Sequence, residues 1–170
     1  MKHTLSLLIE EEFGVLARIT NLLYRRGFNI ETMALGSTEV NNTLRITIVL
    51  YSDTKTSNQL VRQVYKLINV LEVQDLTNLS CVERELMLLK VSSSVDTRSE
   101  IFEIARIFRV KVVDISEDSL ILEVTGDSEK ISAIIEILMS YGIKKIVRTG
   151  KISLPRGLKF NPASLVELPN

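Results

Sequence analysis

The chain has 170 residues, 45% hydrophobic and 25% charged, proportions that suit a packed globular protein and are too apolar for a disordered one. Lys and Arg total 21 and Asp and Glu total 21, so no net field draws the chain to a phosphate backbone or an anionic lipid surface. The single cysteine, Cys81, has no internal disulfide partner, which fits a reducing compartment: a cytoplasm, or the stroma for a plastid protein. The start of the sequence shows no charged leader with an apolar stretch behind it. The longest apolar runs fall far short of the roughly 20 residues that span a bilayer, so a soluble protein is expected.

Residues 4–10 place Leu5, Leu7 and Ile9 at alternate positions, the period of a strand with one buried face. From Val15 the period changes to helical, with Val15, Leu16, Ile19, Leu22 and Leu23 on one stripe, Arg25 and Arg26 near the C-terminus and Gly27 just past it. Residues 28–39 read as a second strand, and Asn41-Asn42 can supply the positive φ angles of a tight hairpin. The third strand follows, in which Leu44, Ile46, Ile48 and Leu50 alternate with Thr43, Arg45, Thr47 and Val49. Ser52, Asp53 and Thr54 offer caps for a second helix with a buried stripe of Leu60, Val61, Val64, Leu67 and Ile68. A strand over residues 70–77 completes the unit.

The order β-α-β-β-α-β defines a ferredoxin-like unit, an antiparallel sheet with both helices on one face. Residues 85–147 spell it again: a strand at 85–91, a helix at 97–108, strands at 111–115 and 120–125, a helix at 128–140 and a strand at 143–147. The fold class is therefore α+β, with two tandem ferredoxin-like domains over residues 1–78 and 79–157. Residues 158–170, which include Asn161-Pro162 and Leu168-Pro169, show no period and are expected to be an extended tail.

Catalytic groupings are nearly absent. There is one histidine, His3, and no Cys-x-x-Cys, His-x-x-x-His, nucleophile elbow or phosphate-binding glycine loop. His3, close to the start of the sequence, is expected to be a solvated residue. The informative stretch is residues 10–18, where three glutamates, Phe13 and Gly14 lead into Val15, Leu16, Ala17 and Arg18. A helix start presents unpaired backbone N–H groups and a positive dipole end, which suit a carboxylate. Gly14 lets a ligand approach the backbone or simply makes the turn. Asn29, in Arg26-Gly27-Phe28-Asn29-Ile30-Glu31, can grip polar atoms of a ligand or serve the turn after Gly27.

Residues 7–18 together with residues 25–31 resemble the ACT domain of acetolactate synthase small regulatory subunits. The segment Val82-Glu83-Arg84-Glu85-Leu86 is similar to the one opening that family's second domain, and the likeness continues through Ile107-Phe108-Arg109, Val113-Asp114-Ile115, Ala133 and Arg148-Thr149-Gly150. It covers roughly residues 2–157. The resemblance implies a non-catalytic subunit that activates a separate catalytic large subunit and confers feedback inhibition by valine or another branched-chain amino acid. It implies a homodimer joined through ACT domains. The effector would lie between Glu11, Phe13, Gly14, Val15 and Leu16 of one subunit and Asn29 and Ile30 of its partner. Glu11 and Phe13 depart from the family's pattern, which commonly has Asn and a small or turn-favouring residue there. No cofactor is implied in this chain; thiamine diphosphate, magnesium and FAD belong to the catalytic partner.

A stand-alone amino-acid sensor acting on another enzyme or a transcription factor is the alternative reading. An RNA-binding module would need aromatic residues on the central strands, where Leu5, Leu7, Ile46 and Ile48 stand instead.

Overall fold

The computed structural model describes residues 1–157, apart from the side chains of residues 54–58. The expected tail at 158–170 lies outside the described residues. By their contacts the described residues form two units, Met1–Val82 with residues 151–157, and Glu83–Gly150.

The first unit contains β1 (Lys2–Glu10), α1 (Val15–Arg25), β2 (Asn29–Ser37), β3 (Thr43–Tyr51), α2 (Thr54–Val64) and β4 (Val70–Asp75). Its sheet has the order β2-β3-β1-β4 and is antiparallel throughout. Alternation along β1 sets Leu5, Leu7 and Ile9 opposite Ile48, Ile46 and Leu44, and this face meets the stripe Val15, Ile19 and Leu23 of α1 and Leu60, Val61 and Val64 of α2. Both helices therefore cover one face. On the other face, Arg45 donates to the Ser6 hydroxyl at 3.1 Å and lies 3.6 Å from the Glu72 carboxylate.

The structure corrects several expectations for this unit. His3 is not solvated: β1 begins at Lys2, and the two-residue period puts His3 on the helix-covered face opposite Leu50, where it is 3% exposed. Its Nδ1 lies 3.4 Å from the Thr77 hydroxyl, which itself donates to Asp75. Ile68 is 88% exposed, because α2 ends at Val64 and tighter turns over Tyr65 to Leu67 rotate the later residues off its stripe. Of the hairpin pair only Asn42 takes a positive φ, of 60°.

The second unit follows the same plan. It carries most of β5 (Cys81–Ser92), then α3 (Arg98–Ile107), β6 (Lys111–Ile115), β7 (Ser119–Gly126), α4 (Ser128–Met139) and β8 (Ile143–Arg148), in the sheet order β6-β7-β5-β8. Its core gathers Met87, Leu89 and Val91 of β5, Leu120, Leu122 and Val124 of β7, and Ile101, Ile131, Ile134 and Leu138 from the helices. Asp127 caps α4 by accepting from the Lys130 amide at 2.9 Å. One further strand, which belongs to the first unit, is not among the expected elements: β9 (Ile152–Pro155), too short to show a period. Just beyond it, the Arg156 amide donates to the Ser80 carbonyl at 2.8 Å.

Between β6 and β7, Asp118 accepts from the Lys144 ammonium and from the Ser119 hydroxyl, and these two bonds hold its carboxyl below the ordinary carboxylate value. A depressed folded-state value means the stabilisation is complete above the unfolded carboxylate pKa and is lost as pH falls through the folded one. Lys144→Met is expected to move the Asp118 titration upward in an NMR pH series. An unchanged midpoint would contradict this assignment.

Among the described residues no helix is long and apolar enough to cross a membrane.

Candidate functional site

At the end of β1 the chain leaves the sheet through three glutamates. The Glu11 amide donates to the Asn42 carbonyl at 2.8 Å, which holds this loop against the β2–β3 hairpin. Gly14 then takes φ 82°, a left-handed conformation that glycine adopts without a Cβ penalty, and caps α1 with no side-chain hydrogen bond. A Cβ added there would meet nothing within 4 Å, so the space in front of the turn is open.

Side-chain caps and first-turn acids normally satisfy the leading amides of a helix. Here the first turn of α1 has no acid. The Val15 amide donates to the Glu12 carbonyl at 3.2 Å, whereas those of Leu16 and Ala17 have no acceptor among the described residues. Unmet N–H groups and the positive helix end together make an anion-receiving position.

The glutamates divide by their surroundings. Glu12 turns back onto the protein, accepting from the Asn69 side-chain amide and lying 3.6 Å from Arg18, whose guanidinium donates to Asn69 at 2.7 Å. Glu11 is exposed and meets no cation among the described residues. One carboxylate thus has partners on the protein, and the other is left to accept from an ammonium group.

Asn69 was not foreseen, because its partners Glu12 and Arg18 lie 57 and 51 positions away and an Asn ahead of a strand reads locally as a turn residue. It is 5% exposed and its carbonyl receives the Glu10 amide at 2.9 Å. Asn69→Ala removes the side-chain amide that bridges the half-exposed Glu12 and Arg18 and is expected to lower stability by about 1 kcal/mol in urea unfolding. A loss below about 0.5 kcal/mol, the range of surface substitutions, would show that Asn69 does not anchor the loop.

The remaining candidates are dispersed. Val15 is buried in the core, so only its backbone faces the loop. Leu16 is half-buried and Phe13 is fully exposed. Asn29 is exposed and Ile30 is half-buried, and the register sets Asn29 beside Tyr51, which pairs with Lys2 at the opposite end of β1 from Glu10. The nine residues of β1 rise about 3.4 Å each, which separates Asn29 from the loop by roughly 27 Å within one chain. Among the described residues no group of three or more His, Cys, Asp or Glu side chains is arranged to hold a metal ion.

Comparison with known proteins gives a consistent result over both units. A family model for the AHAS small subunit-like ACT domain matches residues 5–72, and one for the small subunit of acetolactate synthase matches residues 84–157. The chain is 48% identical over 159 residues to a probable acetolactate synthase small subunit of Archaeoglobus fulgidus, covering 94% of this chain and 99% of that protein. It is 46% identical over 165 residues to the acetolactate synthase small subunit of Bacillus subtilis, covering 96% of each. The crystal structure of the acetolactate synthase small subunit from Thermotoga maritima is similar with a TM-score of 0.84 at 36% identity, over 92% of this chain and 98% of that one. With an ACT domain at its start and likeness running nearly the full length of these relatives, the chain belongs to the acetolactate synthase small subunits, the non-catalytic regulatory component of that enzyme in branched-chain amino acid biosynthesis.

Proposed function

We propose that this chain binds a branched-chain amino acid at the start of α1, across a seam between two copies of itself, and through that binding sets the activity of a catalytic acetolactate synthase subunit. The observation that carries the reading is the open left-handed turn at Gly14 followed by the unmet amides of Leu16 and Ala17. The ligand carboxylate is received by those amides, and its ammonium by the free carboxylate of Glu11. Phe13 stands at the mouth.

A second copy resolves the distance between the loop and Asn29. β2 is an edge of its sheet, and an open edge invites pairing. Two β2 edges paired antiparallel about a two-fold axis set the Asn29 end of one against the Ser37 end of the other. That end also carries the Asn42 hairpin and the loop at residues 11–14. Asn29 and Ile30 of the partner subunit then close the site, with Ile30 shaping its apolar wall. Pairing through β4 would leave Asn29 on the far edge.

The effector is a branched-chain amino acid, of which valine is the smallest. Leucine and isoleucine differ from it by one methylene, which a hydrophobic pocket discriminates by only about 1–3 kcal/mol. Effector binding favours one arrangement of the dimer, and that arrangement holds the catalytic subunit less active. The test is to mix purified chain with a matching catalytic subunit: acetolactate formation should rise and become sensitive to valine. Unchanged rate and sensitivity on mixing would reject the reading.

A further inference from the structure

The outward faces of α1 and α2 carry basic residues and no acidic residue of their own. Residues 13–28 and 54–71 contain no Asp or Glu, although acids and bases balance at 21 each over the whole chain. Arg18, Asn21, Leu22, Arg25 and Arg26 from the first helix and its cap, with Gln63 and Leu67 from the second helix and the turn after it, line a cleft of about 410 Å³. Residues 18, 21, 22 and 25 follow helical spacing, one stripe round from the buried Val15, Ile19 and Leu23.

The cations in this cleft differ in how far they are compensated. Arg18 is turned toward Glu12 and Asn69. Arg25 and Arg26 are exposed and take part in no ion pair among the described residues, and the same holds for Arg62 and Lys66 on the outer side of α2 and the turn after it. Soluble surfaces ordinarily intersperse the two signs, whereas a concave region lined by one sign focuses its field outward. The half-buried Leu22 and Leu67 give the cleft an apolar floor, and Asn21 and Gln63 add amide donors.

We propose that this cleft is the docking surface for an acidic segment of the catalytic subunit, which sets carboxylates against Arg25 and Arg26 and an apolar side chain onto Leu22 and Leu67. The proposal rests on the reading that this chain acts on such a subunit. Charge complementarity selects the occupant, since a guanidinium takes a carboxylate through two parallel hydrogen bonds. A second copy of this chain offers the same basic face and would be repelled. The β2 edge proposed for pairing lies on a different element, so dimer and docking do not compete for it.

The experiment measures association of the full chain with a matching catalytic subunit by sedimentation at two salt concentrations, for wild type and for the paired variants Arg25→Gln, Arg26→Gln and Arg25→Lys, Arg26→Lys. The Gln pair is expected to weaken association about tenfold or more and to flatten its salt dependence, while the isolated variant binds valine as wild type does. The Lys pair keeps the charge and should stay within about threefold of wild type. Equal association of the Gln pair and wild type would overturn the proposal, and so would equal losses in the Gln and Lys pairs. Inorganic tripolyphosphate is the probe for a free anion. If it bound wild type but not the Gln pair, with association unaffected, the cleft would serve a small polyanion and the proposal would fall. Failure of wild type itself to associate would reject the functional reading, a result distinct from any of these.

Discussion

Gly14→Asp is expected to weaken valine binding about a hundredfold or more in calorimetry, because like charges brought into contact cost several kcal/mol. The new carboxylate would stand where that of the effector is received. Room exists for it, since nothing lies within 4 Å of the added Cβ. The φ of 82° adds backbone strain of about 1 kcal/mol for a residue with a Cβ, so some stability is lost while the fold remains. Gly14→Ala separates the two effects: it carries the same strain without charge and should bind valine within about tenfold of wild type. In the assembled synthase, Gly14→Asp should leave activation in place and remove feedback. If Gly14→Asp bound valine as tightly as wild type, the carboxylate position would be wrong.

Leu7→Ala is expected to destabilise the first unit by about 3–4 kcal/mol, a large part of the roughly 5–15 kcal/mol that holds a typical domain. Leu7 is fully buried on the central strand β1, facing Ile46 on one side and Val73 on the other, so truncation opens a cavity that neither neighbouring strand can collapse into. Because β1 also delivers the loop at residues 11–14, effector affinity should fall with stability. The control is Ile68→Ala: at 88% exposure it should change stability by no more than about 0.5 kcal/mol. Urea midpoints with unchanged m-values check both, and equal losses would contradict the core described above.

The features that a local period encodes were legible in advance. The alternation of Leu5, Leu7 and Ile9, the stripe at Val15, Ile19 and Leu23, and the Gly27 stop specify β1 and α1 with no long-range information, and the repeated element order specifies two ferredoxin-like units. The misses depend on partners distant in sequence. His3 looks like a frayed end until β3 lies alongside it, and β9 has too few residues to show a period. Ile68 followed the helical count, but the helix had already ended.

The same division holds at the candidate site. Gly14 ahead of an apolar-periodic run marks a helix start with an exposed backbone, which sequence spacing can express. The bracing of Glu12 and Arg18 by Asn69 is tertiary and left no local signal. Residues 11–16 and Asn29 were grouped by family likeness, and only the strand register reveals that one chain holds them at opposite ends of its sheet.

Chain mixing offers the most direct test that the effector site is shared. Gly14→Asp spoils the loop, and Asn29→Ala spoils the contribution from the neighbouring copy. In a mixed dimer of the two variants, one site carries both lesions and the other carries neither. Calorimetry on the mixture, after unfolding and refolding together, is predicted to regain valine binding at wild-type affinity that neither variant shows alone. A mixture as defective as its components would contradict a site built from two chains.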